Sequence, residues 1–97
     1  MEANGKVRRH ILVHGMVQAV GFRYFTLRTA SRHHITGWVR NRWDGTVEME
    51  VQGTEREIAS FMEEIREGPR SARVERLEIR EMEPGTDLEG FVVEDDG

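Results

Sequence analysis

The sequence predicts an α+β sandwich, an antiparallel sheet with two helices on one face. Three observations predict it. Short segments alternate apolar and polar residues, most clearly Val47, Met49 and Val51 between Glu48, Glu50 and Gln52, the pattern of a strand with one buried and one wet face. Two longer segments place apolar residues at helical spacing instead. The order of these segments is βαββαβ with a short final strand, and helices that cannot bury their stripes alone must share one side of the sheet.

Taken in order, strand one is expected over 7–14, where apolar residues alternate along the chain. Helix one follows over about 22–33, with an inward stripe of Phe22, Thr26, Ala30 and His33 that also draws on Phe25 and Thr29. Strand two is expected over 35–42, and Asp44-Gly45 turns the chain into strand three, 46–52. Thr54-Glu55-Arg56-Glu57 has the form of a capping box, Ile58, Phe61, Met62 and Ile65 supply the stripe of helix two, and Gly68-Pro69 stops it. Strand four is expected over 72–82, with Leu77 and Ile79 on one side and Arg76, Glu78 and Arg80 on the other; a last strand runs over 90–93. Residues 1–6 and the acidic tail 94–97 are expected to fray. The arrangement is the split-βαβ, ferredoxin-like sandwich.

The chain has 97 residues, 37% of them apolar, 33% charged, and no cysteine. That length suits one domain with a modest core, here 1–97, expected to stand free. Without cysteine there is no disulfide, no thiolate nucleophile and no sulfur-ligated metal. No run approaches the roughly 18 apolar residues of a membrane span, and the N-terminus lacks a hydrophobic signal region, so a cytoplasmic location is expected. The formal net charge of −4 discourages nucleic-acid binding. The histidines are read as non-catalytic. His33 and His34 diverge on a helix, and His10 and His14, on one face of a strand, stand roughly 13 Å apart. No His and carboxylate cluster has metal-ligand spacing, so no metal and no cofactor are expected.

The segment Gly15-Met16-Val17-Gln18-Ala19-Val20-Gly21-Phe22-Arg23 is the most informative. A Gly-flanked loop between a strand and a helix start is an anion-binding geometry, because main-chain N–H groups point into the turn and the helix start carries partial positive charge. Arg23, in the first helical turn, opposes the macrodipole, a local penalty that makes sense where an anion is bound. One guanidinium and several amides around a small hole suggest a phosphoryl group. In this reading Val17 and Val20 anchor the loop to the core and fix the amide directions in advance.

The second informative stretch is Gly37-Trp38-Val39-Arg40-Asn41, followed by Asp44-Gly45-Thr46-Val47 and Gly53. The pair G-x-V-Q-x-V-x-F-R and G-W-V-R-N-x-x-x-G-x-V-x-x-x-x-x-G closely resembles the acylphosphatase family of small phosphohydrolases, over about 7–93. The resemblance implies the ferredoxin-like fold and hydrolysis of acyl phosphates to a carboxylate and inorganic phosphate. It implies that Arg23 and Asn41 are catalytic, Asn41 positioning the attacking water, and that Gly15, Met16, Val17, Gln18, Ala19 and Val20 form the phosphate-binding loop. The residue types agree with that chemistry. An arginine, amides and a carboxamide cannot readily expel a poor leaving group, but the carboxylate leaving an acyl phosphate derives from an acid of pKa near 4. The expected partners are an acyl phosphate as substrate and inorganic phosphate as product and inhibitor, with no nucleic acid and no membrane, the protein acting as a monomer.

Some positions depart from the family pattern. Ala19 stands where a second loop glycine is usual; if the site needs φ > 0, alanine costs roughly 1–2 kcal/mol there. Met16 replaces a residue that is often basic, His33-His34 replaces Leu-Gly, and a C-terminal tyrosine is absent. His34 is expected to take the left-handed helix cap and His33 the edge of the core. Two rival readings are a sheet that reads RNA, disfavoured by Glu48 and Glu50 where aromatics would be needed, and a catalytically silent phosphate-binding or interaction module of the same fold.

Overall fold

The computed structural model describes residues 5–97. The chain runs β1 (Lys6–Met16), α1 (Phe22–Arg32), β2 (Thr36–Asn41), β3 (Val47–Thr54), α2 (Glu55–Glu67), β4 (Arg73–Met82) and β5 (Phe91–Val93). The five strands form one sheet in the order β4-β1-β3-β2-β5. This is the ferredoxin-like α+β fold expected from the segment order. The β1–β3, β1–β4 and β2–β3 pairs are antiparallel, whereas β5 pairs with β2 in parallel.

The period of two along the strands sends Ile11, Val13, Val39, Val47, Met49 and Val51 to the helix side, all fully buried. From the other layer α1 contributes Phe22, Thr26, Thr29 and Ala30, and α2 contributes Ile58, Phe61, Met62 and Ile65. The hydroxyls of Thr26 and Thr29 donate to the carbonyls of Phe22 and Phe25, at 2.9 and 2.8 Å, so two polar residues enter the core satisfied. Phe25 and His33, also expected on this stripe, are half-buried.

The open face of the sheet is charged. His10 Nε2 lies 2.7 Å from Glu48 Oε2, Arg40 Nε donates to Glu48 Oε1 at 2.7 Å, and Arg8 donates to Glu50 and Asp87, each at 2.7 Å. The Arg40 guanidinium sits 5.6 Å above the Trp38 ring. Among the described residues no helix is long and apolar enough to cross a membrane.

Two expectations are corrected. Of the stretch 1–6 expected to fray, 1–4 lie outside the described residues, and Lys6 already pairs with Thr54 at the start of β1. The tail 94–97 does not fray either. Glu94 N donates to Val39 O at 2.8 Å, Gly97 N donates to Asn41 O at 3.0 Å, and Trp43 N donates to Gly97 O at 3.0 Å. It prolongs the alignment of β5 along the free edge of β2, where unpaired main-chain groups await partners. Leu77 and Ile79 share one side of β4, paired with the core-facing Val13 and Ile11, although Ile79 is 40% exposed, beyond the segment Ala72, Val74 and Leu77 that packs on the core.

Candidate functional site

The loop that joins β1 to α1 begins with a break in the ladder. The β1–β4 register shifts between His14 and Gly15. Gly15 has φ 132°, and a Cβ there would stand 2.1 Å from the Arg73 carbonyl oxygen, so glycine is required by the approach of β4. Gly15 and Met16 are thus strand residues, paired with Val74 and Arg73. Two residues expected in the loop therefore end β1, and the loop proper starts at Val17.

Val17 is buried in the core, which fixes the entry of the loop. Ala19 has φ 61° and Gly21 φ 78°, both left-handed. The positive φ that would make alanine costly is therefore present, and Ala19 carries the strain. Gln18 points away from the hole: its side-chain amide donates to the carbonyls of Arg42 and Thr46, at 2.7 and 2.8 Å. These bonds tie the loop to the β2–β3 turn. That turn is closed from within, since Asp44 Oδ1 accepts from Thr46 N at 3.0 Å and from the Thr46 hydroxyl at 2.6 Å. The Thr46 hydroxyl and amide hold the Asp44 carboxyl below its ordinary pKa. Gln18 thereby sets the position of Asn41, the last residue of β2, relative to the loop.

Gly21 is the N-cap of α1 and offers no side-chain hydrogen bond. The first helical N–H donor that an intrahelical carbonyl meets is that of Phe25, on Gly21 O at 3.0 Å. The preceding amides have no i−4 carbonyl to meet. No acidic side chain stands in this first turn, and Arg23 does.

These pieces converge on one cavity of about 140 Å3, lined by Val17, Ala19, Gly21, Phe22, Arg23, Tyr24 and Asn41. The expected catalytic pair, Arg23 and Asn41, faces one space, together with two of the expected loop residues. Gly15, Met16, Gln18 and Val20 are not on its wall; Val20 packs against the core. A hole of this size, with a guanidinium, helix-start amides and a carboxamide, can hold a phosphoryl group and a water.

Sequence reasoning missed four contributors. Gly21, Phe22 and Tyr24 follow from where the helix starts, which the motif brackets only loosely. Asp96, whose Oδ1 accepts from Arg23 Nη1 at 3.3 Å, arrives through the docked tail. No histidine lines the cavity: His10, His14 and His33 each lie against a glutamate, at 2.7, 2.6 and 2.6 Å. Among the described residues no three His or carboxylate side chains group to hold a metal ion.

Comparison with known proteins places this geometry in a family. A family model described as Acylphosphatase matches residues 9–93. An acylphosphatase of Moorella thermoacetica is 49% identical over 78 residues, covering 80% of this chain and 84% of its own. The crystal structure of an acylphosphatase from Bacillus subtilis superimposes with a TM-score of 0.86 at 34% identity, covering 90% of this chain and 97% of that one. The HypF protein of T. kodakarensis contains a similar unit, with TM-score 0.80 and 38% identity, matching 91% of this chain and 12% of HypF.

Proposed function

The chain belongs to the acylphosphatase family and is an enzyme that hydrolyses the carboxyl–phosphate bond of acyl phosphates; from this premise we propose that Arg23 and Asn41 carry the reaction on a cradle of main-chain amides. The observation that carries the assignment is that both side chains line one cavity at the start of α1, which no side chain caps.

In this mechanism the phosphoryl oxygens lie on the amides of the loop and of the first turn of α1, and Arg23 binds two of them with its planar fork. Asn41 accepts a hydrogen bond from the attacking water with its side-chain oxygen and orients it opposite the carboxylate. A bond forms from the water oxygen to phosphorus as the bond from phosphorus to the acyl oxygen breaks. The electron pair leaves on the carboxylate, and the water's proton passes to the phosphate itself. No general acid is needed for so good a leaving group. Positioning and charge stabilisation supply the rate, as a loose phosphoryl-transfer transition state allows.

Inorganic phosphate, as product, occupies the same cradle and competes with substrate. The protein acts as a cytoplasmic monomer, and the described residues form one acylphosphatase domain. The test is phosphate release from benzoyl phosphate in the presence of EDTA. Turnover with competitive inhibition by inorganic phosphate is the expected result. Phosphate binding without turnover would instead favour a silent binding module.

A further inference from the structure

The C-terminal segment ends beside the proposed catalytic cation. After β5 the chain keeps to the edge of β2, through Glu94 N on Val39 O and Gly97 N on Asn41 O, and Gly97 O receives Trp43 N. Main-chain bonds therefore flank Asp96, one of them on the carbonyl of Asn41 itself. Asp96 Oδ1 accepts from Arg23 Nη1 at 3.3 Å, with the Arg23 side chain 32% exposed and Asp96 68% exposed.

An ion pair this exposed contributes little to stability, so the main-chain bonds, not the carboxylate, hold the tail. The consequence of Asp96 is electrostatic. It is a tethered negative charge on the cation that must also bind the phosphoryl group. A phosphoryl group on the loop side of Arg23 would share the guanidinium with Asp96, and an acyl group extending outward past Arg23 would approach its carboxylate. Cations near Asn41 in the chain are engaged elsewhere: Arg40 Nε on Glu48 at 2.7 Å, and Arg42 Nη2 with Asp44 at 3.7 Å. The cavity wall itself offers an exposed aromatic ring instead: Tyr24 is 58% exposed.

We infer that Asp96 is a specificity-determining residue, whose tethered carboxylate makes the site favour acyl phosphates with an uncharged acyl group over those whose acyl group carries a further negative charge. The inference rests on Arg23 being the phosphate ligand. Two like charges several ångströms apart at a partly exposed mouth change affinity by about threefold to tenfold at low salt, and salt screens the effect.

The experiment compares kcat/KM for benzoyl phosphate and 4-carboxybenzoyl phosphate in the wild type, Asp96→Asn and Asp96→Glu, at low and at physiological salt. The wild type should prefer benzoyl phosphate, Asp96→Asn should shrink that preference about threefold to tenfold at low salt, and Asp96→Glu should restore it. A preference that stays within twofold of wild type in Asp96→Asn overturns the inference, whether or not both activities fall together. Arg23→Lys separates the two claims. Full turnover of benzoyl phosphate by that variant overturns the Arg23 assignment and the inference with it, whereas an unchanged preference with Arg23 essential overturns the inference alone.

Discussion

The two helices of this protein begin in opposite ways. At the start of α2, Thr54 adopts an extended conformation, its hydroxyl accepts from Glu57 N at 3.2 Å, and Glu57 Oε1 accepts from Thr54 N at 2.9 Å. Glu55 and Glu57 put negative charge in the first turn, and the Thr54 amide holds the Glu57 carboxyl below its ordinary pKa. At the start of α1 a left-handed Gly21 gives no side-chain cap, no acid follows, and Arg23 adds a positive charge to the positive end of the dipole. Every device that stabilises one helix start is missing from the other. A helix start that does not satisfy itself leaves its amides to water or to a ligand, and the contrast supports the proposed anion site at α1 without reference to any relative.

The largest effect expected from breaking this contrast is on Arg23. Arg23→Lys keeps the charge and loses the two-pronged fork, and kcat/KM for benzoyl phosphate should fall by about 10²–10³-fold. A loss of only a few-fold in steady-state assays would mean that charge alone suffices and that the fork is incidental. Asn41→Ala comes next. It should lower kcat by at least ~10²-fold, while the inhibition constant of inorganic phosphate changes much less, because the carboxamide holds water and not the phosphoryl group. Parallel loss of phosphate binding, measured by calorimetry, would move Asn41 into the cradle.

At α2 the same kind of change should leave chemistry alone. Thr54→Ala removes the cap and should lower stability by about 1 kcal/mol, a fall in melting temperature of roughly 4–8 °C for a domain of this size. Turnover per folded molecule at 25 °C should hold. Saturating phosphate should raise the melting temperature of the wild type and of Thr54→Ala by similar increments, since the ligand acts on α1. A smaller effect, of opposite sign, is expected in the loop. Ala19 is held at φ 61°, so Ala19→Gly should raise stability by up to about 1 kcal/mol, reduced by the freedom glycine gives the unfolded chain. A lower urea midpoint for Ala19→Gly would show that contacts of the methyl group outweigh the backbone strain.

Much of this was legible in the sequence because it rests on local rules. The alternation of Val47, Met49 and Val51, the stripe of Ile58, Phe61, Met62 and Ile65, and the Thr54 box each specify their element without help from the rest of the chain. The left-handed conformation of His34, φ 60°, was expected on a different ground, the family pattern that has glycine at that position. What stayed hidden depends on distant partners. Gly15 reads as a loop glycine until β4 is seen to press on its α-carbon. Gln18 reads as a polar loop residue, yet its amide chooses two carbonyls on the β2–β3 turn, more than twenty residues away. Asp96 reads as part of a solvated acidic tail, because only the parallel pairing of β5 with β2 delivers it to Arg23. No local pattern encodes such a pairing.

The other end of α1 sharpens the contrast by its sufficiency. Where the start of the helix is left open, its end is tied to α2. Arg32 donates to both oxygens of Glu64, at 2.6 and 3.0 Å, and His33 Nε2 lies 2.6 Å from Glu64 Oε2. Arg32 first, and His33 second, pull the Glu64 carboxyl down to about 2. A carboxyl whose pKa is lower in the folded than in the unfolded protein stabilises the fold above its unfolded value near 4.5, and that stabilisation is lost as pH falls toward 2. The group is a third exposed, so solvent screening limits its contribution to less than about 1 kcal/mol. Glu64→Gln should therefore have a lower urea midpoint than the wild type at pH 7, a smaller gap at pH 4 and nearly none at pH 2.5. A gap that does not change across this range would mean that Glu64 acts through packing, and that the end of α1 is held by the core rather than by its ion pairs.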